Sequence, residues 1–282
     1  MKKCLKALLS GSLPPESLAD VCNSYDIIGD IAIIRSTALP RKFGENVAEA
    51  IIKTHRNVKT VLAQTSPVDG DFRLRGLAYI AGEKRTKTVH VESGCRFLVD
   101  VERCYFSPRL SYERKRIADQ VMDDETVVNM FAGIGCFSIL IATRLSTGRV
   151  YSIDINPTAV QFMRENIRIN NVFGKIIPIL EDSKDIIQAR LCHLADRVLM
   201  PLPERALAYL PYAVRALKTS GGWLHYYDFE RARSINPVEK VRVKMSEKLE
   251  SLGVKFAVPF GRVVRSTGPN WCQVVLDICI KP

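Results

Sequence analysis

The sequence predicts an α/β protein, a doubly wound and mostly parallel sheet with a smaller α+β domain ahead of it, on three observations. From residue 126 to residue 227 buried-strand runs alternate with helical patterns, the order that a parallel sheet with right-handed crossovers requires. Glycines or carboxylates stand directly after the first strands of that series. Residues 26–92 instead hold short β-branched runs around one helical stretch. The boundary is expected near residue 104, giving domains of 1–104 and 105–282.

Taken in order, Asp26 to Ile34 has the density of paired strands about a Gly29-Asp30 turn. The spacing of Val47, Ala48, Ile51 and Ile52 predicts a helix over 43–53, and Asn57 to Leu62 returns to a strand pattern. Pro67, Gly70 and the Arg73-x-Arg75 pair mark a loop over 66–76; Thr86 to Glu92 then alternates as a strand that Ser93-Gly94 turns. Beyond residue 110 a helix with a basic face is expected over 112–122, a strand over 126–130, a helix over 138–144 and a strand over 149–154. Asn156 as cap and Pro157 as first helical residue open a helix that runs to Asn170. Strands follow at 176–180 and 196–200, then a helix at 206–218 stopped by Gly221-Gly222, a strand at 223–227 and a final strand pair over 255–281.

Composition limits the function classes. With 47% hydrophobic and 25% charged residues, and only 16 Gly and 14 Pro in 282 positions, collagenous and disordered chains are excluded. The apolar run Cys136 to Ala142 is far short of the ~20 residues a membrane-spanning helix needs, so a soluble protein is expected. Met1 to Leu9 begins like a secretory signal, but Lys6 punctures it and Ser10-Gly11-Ser12 and Pro14-Pro15 break it; the expected location is the cytoplasm. The eight cysteines, at 4, 22, 95, 104, 136, 192, 272 and 279, form no Cys-x-x-Cys pair and no Cys/His set at zinc spacing, which predicts reduced thiols and no metal. Forty-one Lys and Arg against 30 Asp and Glu leave a net charge of +11, which favours a polyanionic partner, nucleic acid first.

Ligands of open α/β sheets bind beyond the carboxyl ends of the strands. Phe131-Ala132-Gly133-Ile134-Gly135-Cys136-Phe137 stands there, and its glycines permit a tight turn and close approach to peptide N–H groups. Alone it is equally a structural turn. The next strand ends in Asp154, nineteen residues after Gly135, where a carboxylate can accept from both ribose hydroxyls, and the combination is far more specific. A dinucleotide fold wants a third small residue where Phe137-Ser138 stands, whereas S-adenosylmethionine has no pyrophosphate and needs only a backbone-lined hollow. Glu181-Asp182-Ser183, after the third strand, offers Asp182 to an adenine amino group.

The stretch Phe106-Ser107-Pro108-Arg109-Leu110-Ser111-x-Glu113-Arg114, with Asn129-Met130-Phe131-Ala132-Gly133-Ile134-Gly135-x-Phe137-Ser138, Ile153-Asp154-Ile155-Asn156-Pro157 and His225-Tyr226-Tyr227, resembles the archaeal and eukaryotic-type tRNA (guanine(37)-N1)-methyltransferase family over roughly residues 25–280. The resemblance implies a Rossmann-like class I methyltransferase domain behind a small RNA-positioning α+β domain. It also implies S-adenosyl-L-methionine as cofactor, the anticodon stem-loop of tRNA as partner, methyl transfer to N1 of guanosine 37, and a monomer. Longer members carry a further N-terminal domain at the tRNA elbow, which this chain is expected to be too short to hold.

Guanine N1 carries a proton, so transfer to it needs a base, and a cation to meet charge on O6. Glu113 by itself reads as a first-turn glutamate complementing a helix dipole; the resemblance places it at the family's general-base position. Arg73 matches the arginine expected near O6, although two arginines flanking Leu74 also describe a solvated strand face. Tyr105 matches an aromatic beside the target base, or else is a strand-edge tyrosine. Implied cofactor contacts are Arg114, Phe131, Ala132, Gly133, Gly135, Asp154, Ile155, Asp182, Ser183 and Pro201.

One departure is visible. Most members end the fourth strand in Asn-Leu-Pro, and Met200-Pro201-Leu202-Pro203 loses the side-chain amide while keeping the Leu-Pro turn. Wyosine-pathway aminocarboxypropyltransferases also depart there but usually replace the whole turn. The rival readings are therefore that transfer, methylation of the tricyclic intermediate at position 37, or RNA binding without turnover. Gly133, Gly135, Asp154, Asp182 and Glu113 together argue against the last. No Pro-Cys or Thr-Cys pair offers a nucleophilic thiol, and Cys136 reads as filler.

Overall fold

The structure, a computed structural model, describes Leu9 and residues 25–35, 41–232 and 236–282. The reading of Met1 to Leu9 as a non-signal segment, the breaks at Ser10 to Pro15, and Cys4 and Cys22 lie outside the described residues, Leu9 excepted. The chain divides into two compact units, Met1–Pro108 and Arg109–Pro282. Local packing keeps residues 105–108 with the first unit: Phe106 meets the His90 ring edge to face at 5.0 Å, and the Arg73 guanidinium lies 4.4 Å over the Tyr105 ring.

The expected first hairpin forms, with β1 (Tyr25–Ile28) antiparallel to β2 (Ile31–Arg35) through Gly29-Asp30. Gly29 sits at φ +58°, and a β-carbon there would meet Thr88 Oγ1 at 2.2 Å and the Val89 carbonyl at 2.6 Å, so only glycine fits. Helix α1 (Arg41–Thr54) leads to β3 (Thr60–Gln64), parallel to β2, and β4 (Leu77–Gly82) completes a four-stranded sheet in the order β1-β2-β3-β4. β4 escapes sequence reading because it is half-buried on both faces and shows no alternation. Val47, Ala48 and Ile51 of α1 bury against Ala32, Ile34 and Val61. A second hairpin, β5 (Lys87–Glu92) with β6 (Cys95–Asp100), is tied to the first turn. Asp30 accepts from Arg85 at 2.6 and 3.0 Å and from Thr88 Oγ1 at 2.6 Å, and the Arg85 bond holds its carboxyl below the usual range.

In the second unit α2 (Ser111–Ala118) follows a short 3-10 turn. It ends before the expected Met122, because Asp119 closes it while holding Lys115 at 2.7 Å and Arg144 at 2.6 Å. The parallel strands are β7 (Thr126–Asn129), β8 (Arg149–Asp154), β9 (Ile176–Leu180), β10 (Arg197–Met200) and β11 (Gly222–Arg231). Last come β12 (Phe256–Gly268) and β13 (Trp271–Ile280), and the sheet runs β12-β13-β11-β10-β7-β8-β9 with β13 antiparallel to both neighbours. Strand order reverses between β7 and β10, the switch point where such sheets bind ligands.

The helices of this unit are α3 (Cys136–Ala142), α4 (Pro157–Ile169), the short α5 (Ser183–Ile186), α6 (Ala206–Ala216) and α7 (Pro237–Ser251). Asn156 caps α4 as expected, accepting from Thr158 N at 3.0 Å and Ala159 N at 3.3 Å. α7 was not anticipated: its many charges mask a stripe of Val241, Met245 and Leu249 that enters the core beside β11 and β13. Among the described residues no helix is long and apolar enough to cross a membrane.

At the start of β10 Arg197 is buried and paired twice with Glu125, at 2.6 and 2.9 Å. Glu125→Ala strands that guanidinium, and the expected cost is about 3 kcal/mol. Urea denaturation checks it: the midpoint should fall with the slope unchanged, and a midpoint equal to the wild type would contradict the buried ion pair.

Candidate active site

At the switch point the chain leaves β7 through Met130-Phe131-Ala132 and turns at two glycines, Gly133 at φ +57° and Gly135 at φ +90°. A β-carbon on Gly135 would lie 2.8 Å from Met163 Cγ, so that glycine lets α3 pack on α4. A β-carbon on Gly133 would meet nothing within 4 Å; this glycine faces open space. Its N–H donates to Asp154 Oδ2 at 2.6 Å, and Asn156 N donates to Asp154 Oδ1 at 2.9 Å. Burial pushes the Asp154 carboxyl up, against the pull of these two backbone bonds. Ser138, where a dinucleotide fold wants a small residue, is a buried tie: its Oγ accepts from Asn129 Nδ2 at 3.1 Å and from Ser152 Oγ at 2.7 Å, joining α3 to β7 and β8.

Asp182 caps α5 through Lys184 N at 3.0 Å and accepts from the Tyr209 hydroxyl at 2.9 Å. Burial and that carboxylate push the Tyr209 hydroxyl up to about 12, so it remains a donor. The Tyr209 ring meets Phe131 edge to face at 5.2 Å. Ala132 is buried and Ile155 exposed beside them. Ser183 Oγ and Asn129 Oδ1 are buried without partners. Two carboxylates at successive strand ends, an open glycine face and an orphaned hydroxyl fit the ribose, adenine and amino-acid parts of S-adenosylmethionine. Pro201, at the carboxyl end of β10, offers no amide.

Glu113, in the first turn of α2, is 1% exposed and far from a solvated dipole partner. Arg116 grips it through Nη2 to Oε1 at 2.7 Å and Nε to Oε2 at 3.0 Å, and the Tyr227 hydroxyl donates to Oε1 at 2.8 Å. Burial and Glu113 hold the Tyr227 hydroxyl well above its ordinary range, so it stays protonated. Arg116 also pairs with Asp277 at 2.6 and 3.0 Å, and Asp277 contacts His225 Nδ1 at 2.7 Å. The other ring nitrogen lies 2.7 Å from Arg197 Nη1, which can only donate. His225 therefore carries its proton on Nδ1 and gives it to Asp277, and burial lowers its pKa and keeps it neutral. Burial works against the Asp277 charge, but the His225 and Arg116 bonds prevail and hold its carboxyl well below the usual range.

Arg114 is buried on the same helix turn. Arg73 and Tyr105 belong to the first unit, and Arg73 lies at φ +54° in the turn closed by the Asp69–Leu74 bridge, not on a strand face. Arg164 and Arg168 are exposed on α4, and Arg144 is paired with Asp119. Sequence reasoning gave no role to Tyr209, Arg116, Tyr227, His225, Asp277 or Arg262. One signal was available: Asp277 is a lone charge in the apolar run Val274-Val275-Leu276-Asp277-Ile278.

Residues 88–255 match the TRM5/TYW2 methyltransferase domain, and residues 5–86 the TYW2 N-terminal domain. The chain is 37% identical over 270 residues to the tRNA (guanine(37)-N(1))-methyltransferase Trm5b of Pyrococcus abyssi, covering 96% of this chain and 78% of that one. It is also 37% identical over 263 residues to the tRNA 4-demethylwyosine(37)-methyltransferase Taw21 of Saccharolobus solfataricus, covering 92% and 94%. Among solved structures it is similar to aTrm5 in complex with tRNALeu, with TM-score 0.85, 33% identity and coverage of 100% and 79%. It is similar too to TYW2 of Methanocaldococcus jannaschii in complex with AdoMet, with TM-score 0.70, 28% identity and coverage of 92% and 99%.

The raised Asp154 pKa has a measurable consequence. If Asp154 takes the ribose hydroxyls of S-adenosylmethionine, the ionised carboxylate is the form that accepts both, so affinity should be full above that pKa and fall as pH drops through it, earlier than for an ordinary aspartate. Calorimetric titration across mildly acidic pH should show this, and Asp154→Asn should weaken binding about tenfold and flatten the dependence. A wild-type affinity that does not change with pH would rule the contact out.

Proposed function

Because the chain belongs to the TRM5/TYW2 methyltransferase family, we propose that it transfers a methyl group from S-adenosyl-L-methionine to N1 of guanosine 37 of tRNA. The observation that carries this reading is the buried Glu113 carboxylate, oriented by Arg116 and Tyr227 in the unit whose switch point fits the cofactor.

Bound S-adenosyl-L-methionine supplies an electrophilic methyl group. Asp154 takes the ribose hydroxyls, Asp182 the adenine amino group, and Gly133 leaves room for the amino-acid part. Arg114, Phe131, Ala132, Gly135, Ile155, Ser183 and Pro201 complete the proposed cofactor contacts. Glu113 Oε2 accepts the N1 proton of the guanine. Loss of that proton frees the N1 lone pair and spreads negative charge onto O6, so a cation at O6 makes the proton easier to remove as the methyl group is transferred. Arg73 is the proposed cation at O6 and Tyr105 the aromatic beside the base, with residues 1–104 as the RNA-positioning domain. Direct transfer needs no covalent intermediate, only alignment. The proposed setting is a cytoplasmic monomer acting on the tRNA anticodon stem-loop.

A second reading rests on Pro201, which stands where an asparagine is expected, and on the similarity to Taw21: methyl transfer to 4-demethylwyosine at position 37. Two substrates separate the readings. Guanosine-37 transcript and tRNA carrying 4-demethylwyosine are each incubated with the protein and cofactor, and the nucleosides are analysed by mass spectrometry. One methyl on guanosine N1 is the expected product, with Glu113→Gln about 100-fold or more slower. A methyl on the tricyclic base alone would move the assignment to the second reading, and an aminocarboxypropyl adduct would overturn both.

A further inference from the structure

The Glu113 carboxylate has four acceptor positions, and the described residues fill three of them. Oε1 takes Arg116 and Tyr227; Oε2 takes only Arg116 Nε. Arg262 on β12 places its Nε 3.9 Å from Oε2, too far for a hydrogen bond. That Nε is itself buried and has no partner. A vacant acceptor and a vacant buried donor thus lie side by side, and a buried donor left unmade is costly unless something else completes it. The Arg262 guanidinium is held over the Tyr112 ring at 4.7 Å, and Tyr112 is 67% exposed, so its other face is open. Both side chains line a groove of about 660 Å³ with Phe260, Gln120 and Trp223.

A donor and an acceptor at this separation match the lactam edge of a purine, where a ring N–H stands next to a keto oxygen. Two hydrogen bonds of ordinary length, ~2.9 Å each, reach that edge with a slight outward splay. We infer that Arg262 is a further catalytic residue: its Nε donates to O6 of the target guanine while Glu113 Oε2 takes the N1 proton. The inference rests on the guanosine reading above. As the N1–H bond breaks toward Oε2, the N1 electron pair forms the N1–methyl bond, the methyl–sulfur bond of the sulfonium breaks with its pair left on a neutral thioether, and the negative charge on O6 is met by the guanidinium. O6 has two lone pairs, so Arg262 on the N1 side leaves the other free. The local charge count agrees. Arg197 and Arg116 stand against Glu125, Asp277 and Glu113, one carboxylate in excess, and Arg262 supplies the missing positive charge.

Single-turnover methylation of guanosine-37 and inosine-37 transcripts tests this across pH, with wild type, Arg262→Ala, Arg262→Lys and Arg265→Ala. Inosine keeps the lactam edge. Arg262→Ala should lose about 100-fold in rate on both tRNAs, with cofactor affinity and melting temperature within error, and its pH profile should shift to the alkaline side. Raising pH then replaces what the cation did for N1. Arg262→Lys should recover part of the rate, and Arg265→Ala, a charge removed from the same strand, should match wild type. If Arg262→Ala proves unstable, the Lys variant carries the test through its pH profile. A rate within threefold of wild type, a loss without the alkaline shift, or an equal loss in Arg265→Ala would overturn the inference while the guanosine reading stands. A wild type that leaves guanosine 37 unmodified would overturn both.

Discussion

The ion pair between Glu113 and Arg116 is the constraint around which the catalytic unit is arranged. Arg116 links the Glu113 carboxylate of α2 to Asp277 of β13, and the chain continues through His225 of β11 and Arg197 of β10 to Glu125 ahead of β7. Such a chain is poor stabilising material, because desolvation consumes most of the Coulombic gain. Its value is orientation: Arg116 grips both oxygens of the Glu113 carboxylate, and His225, between Asp277 and Arg197, has one tautomer.

The two halves of the site are made differently. The cofactor hollow is mostly backbone and strand ends, with Gly133 N on Asp154 and residue 156 on the same carboxylate, so it follows from the sheet's topology. The surroundings of Glu113 are made of side chains from α2, β11, β12 and β13. Those last strands are the antiparallel part of the sheet, where β13 inserts between β11 and β12. In that part Asp277 stands opposite both His225 and Phe260, its register partners in the two neighbouring strands.

Pro201 brings no side-chain amide to the end of β10. Pro203 remains buried and the strand before it keeps full register with β11, so the turn is held by proline geometry and packing. What changes is chemistry at the end of β10, and that is where discrimination between position-37 substrates is to be sought.

Much of the fold was legible because its signals are local. β8 and β9 fall on their expected bounds, and Asn156 with Pro157 announces α4, since caps and short buried runs act within a few residues. Gly133, Asp154 and Asp182 were legible for the same reason: each directly follows a strand. α7 and β4 were not, one hidden by surface charge and the other by the lack of alternation. The sequence by itself determined most of the elements, the strand-end carboxylates and the candidacy of Glu113. Only the tertiary structure decided what surrounds that carboxylate, because Arg116 and Asp277 are 161 residues apart and Tyr227 lies 114 from Glu113. No periodicity encodes a contact between residues that meet only when antiparallel strands close the sheet.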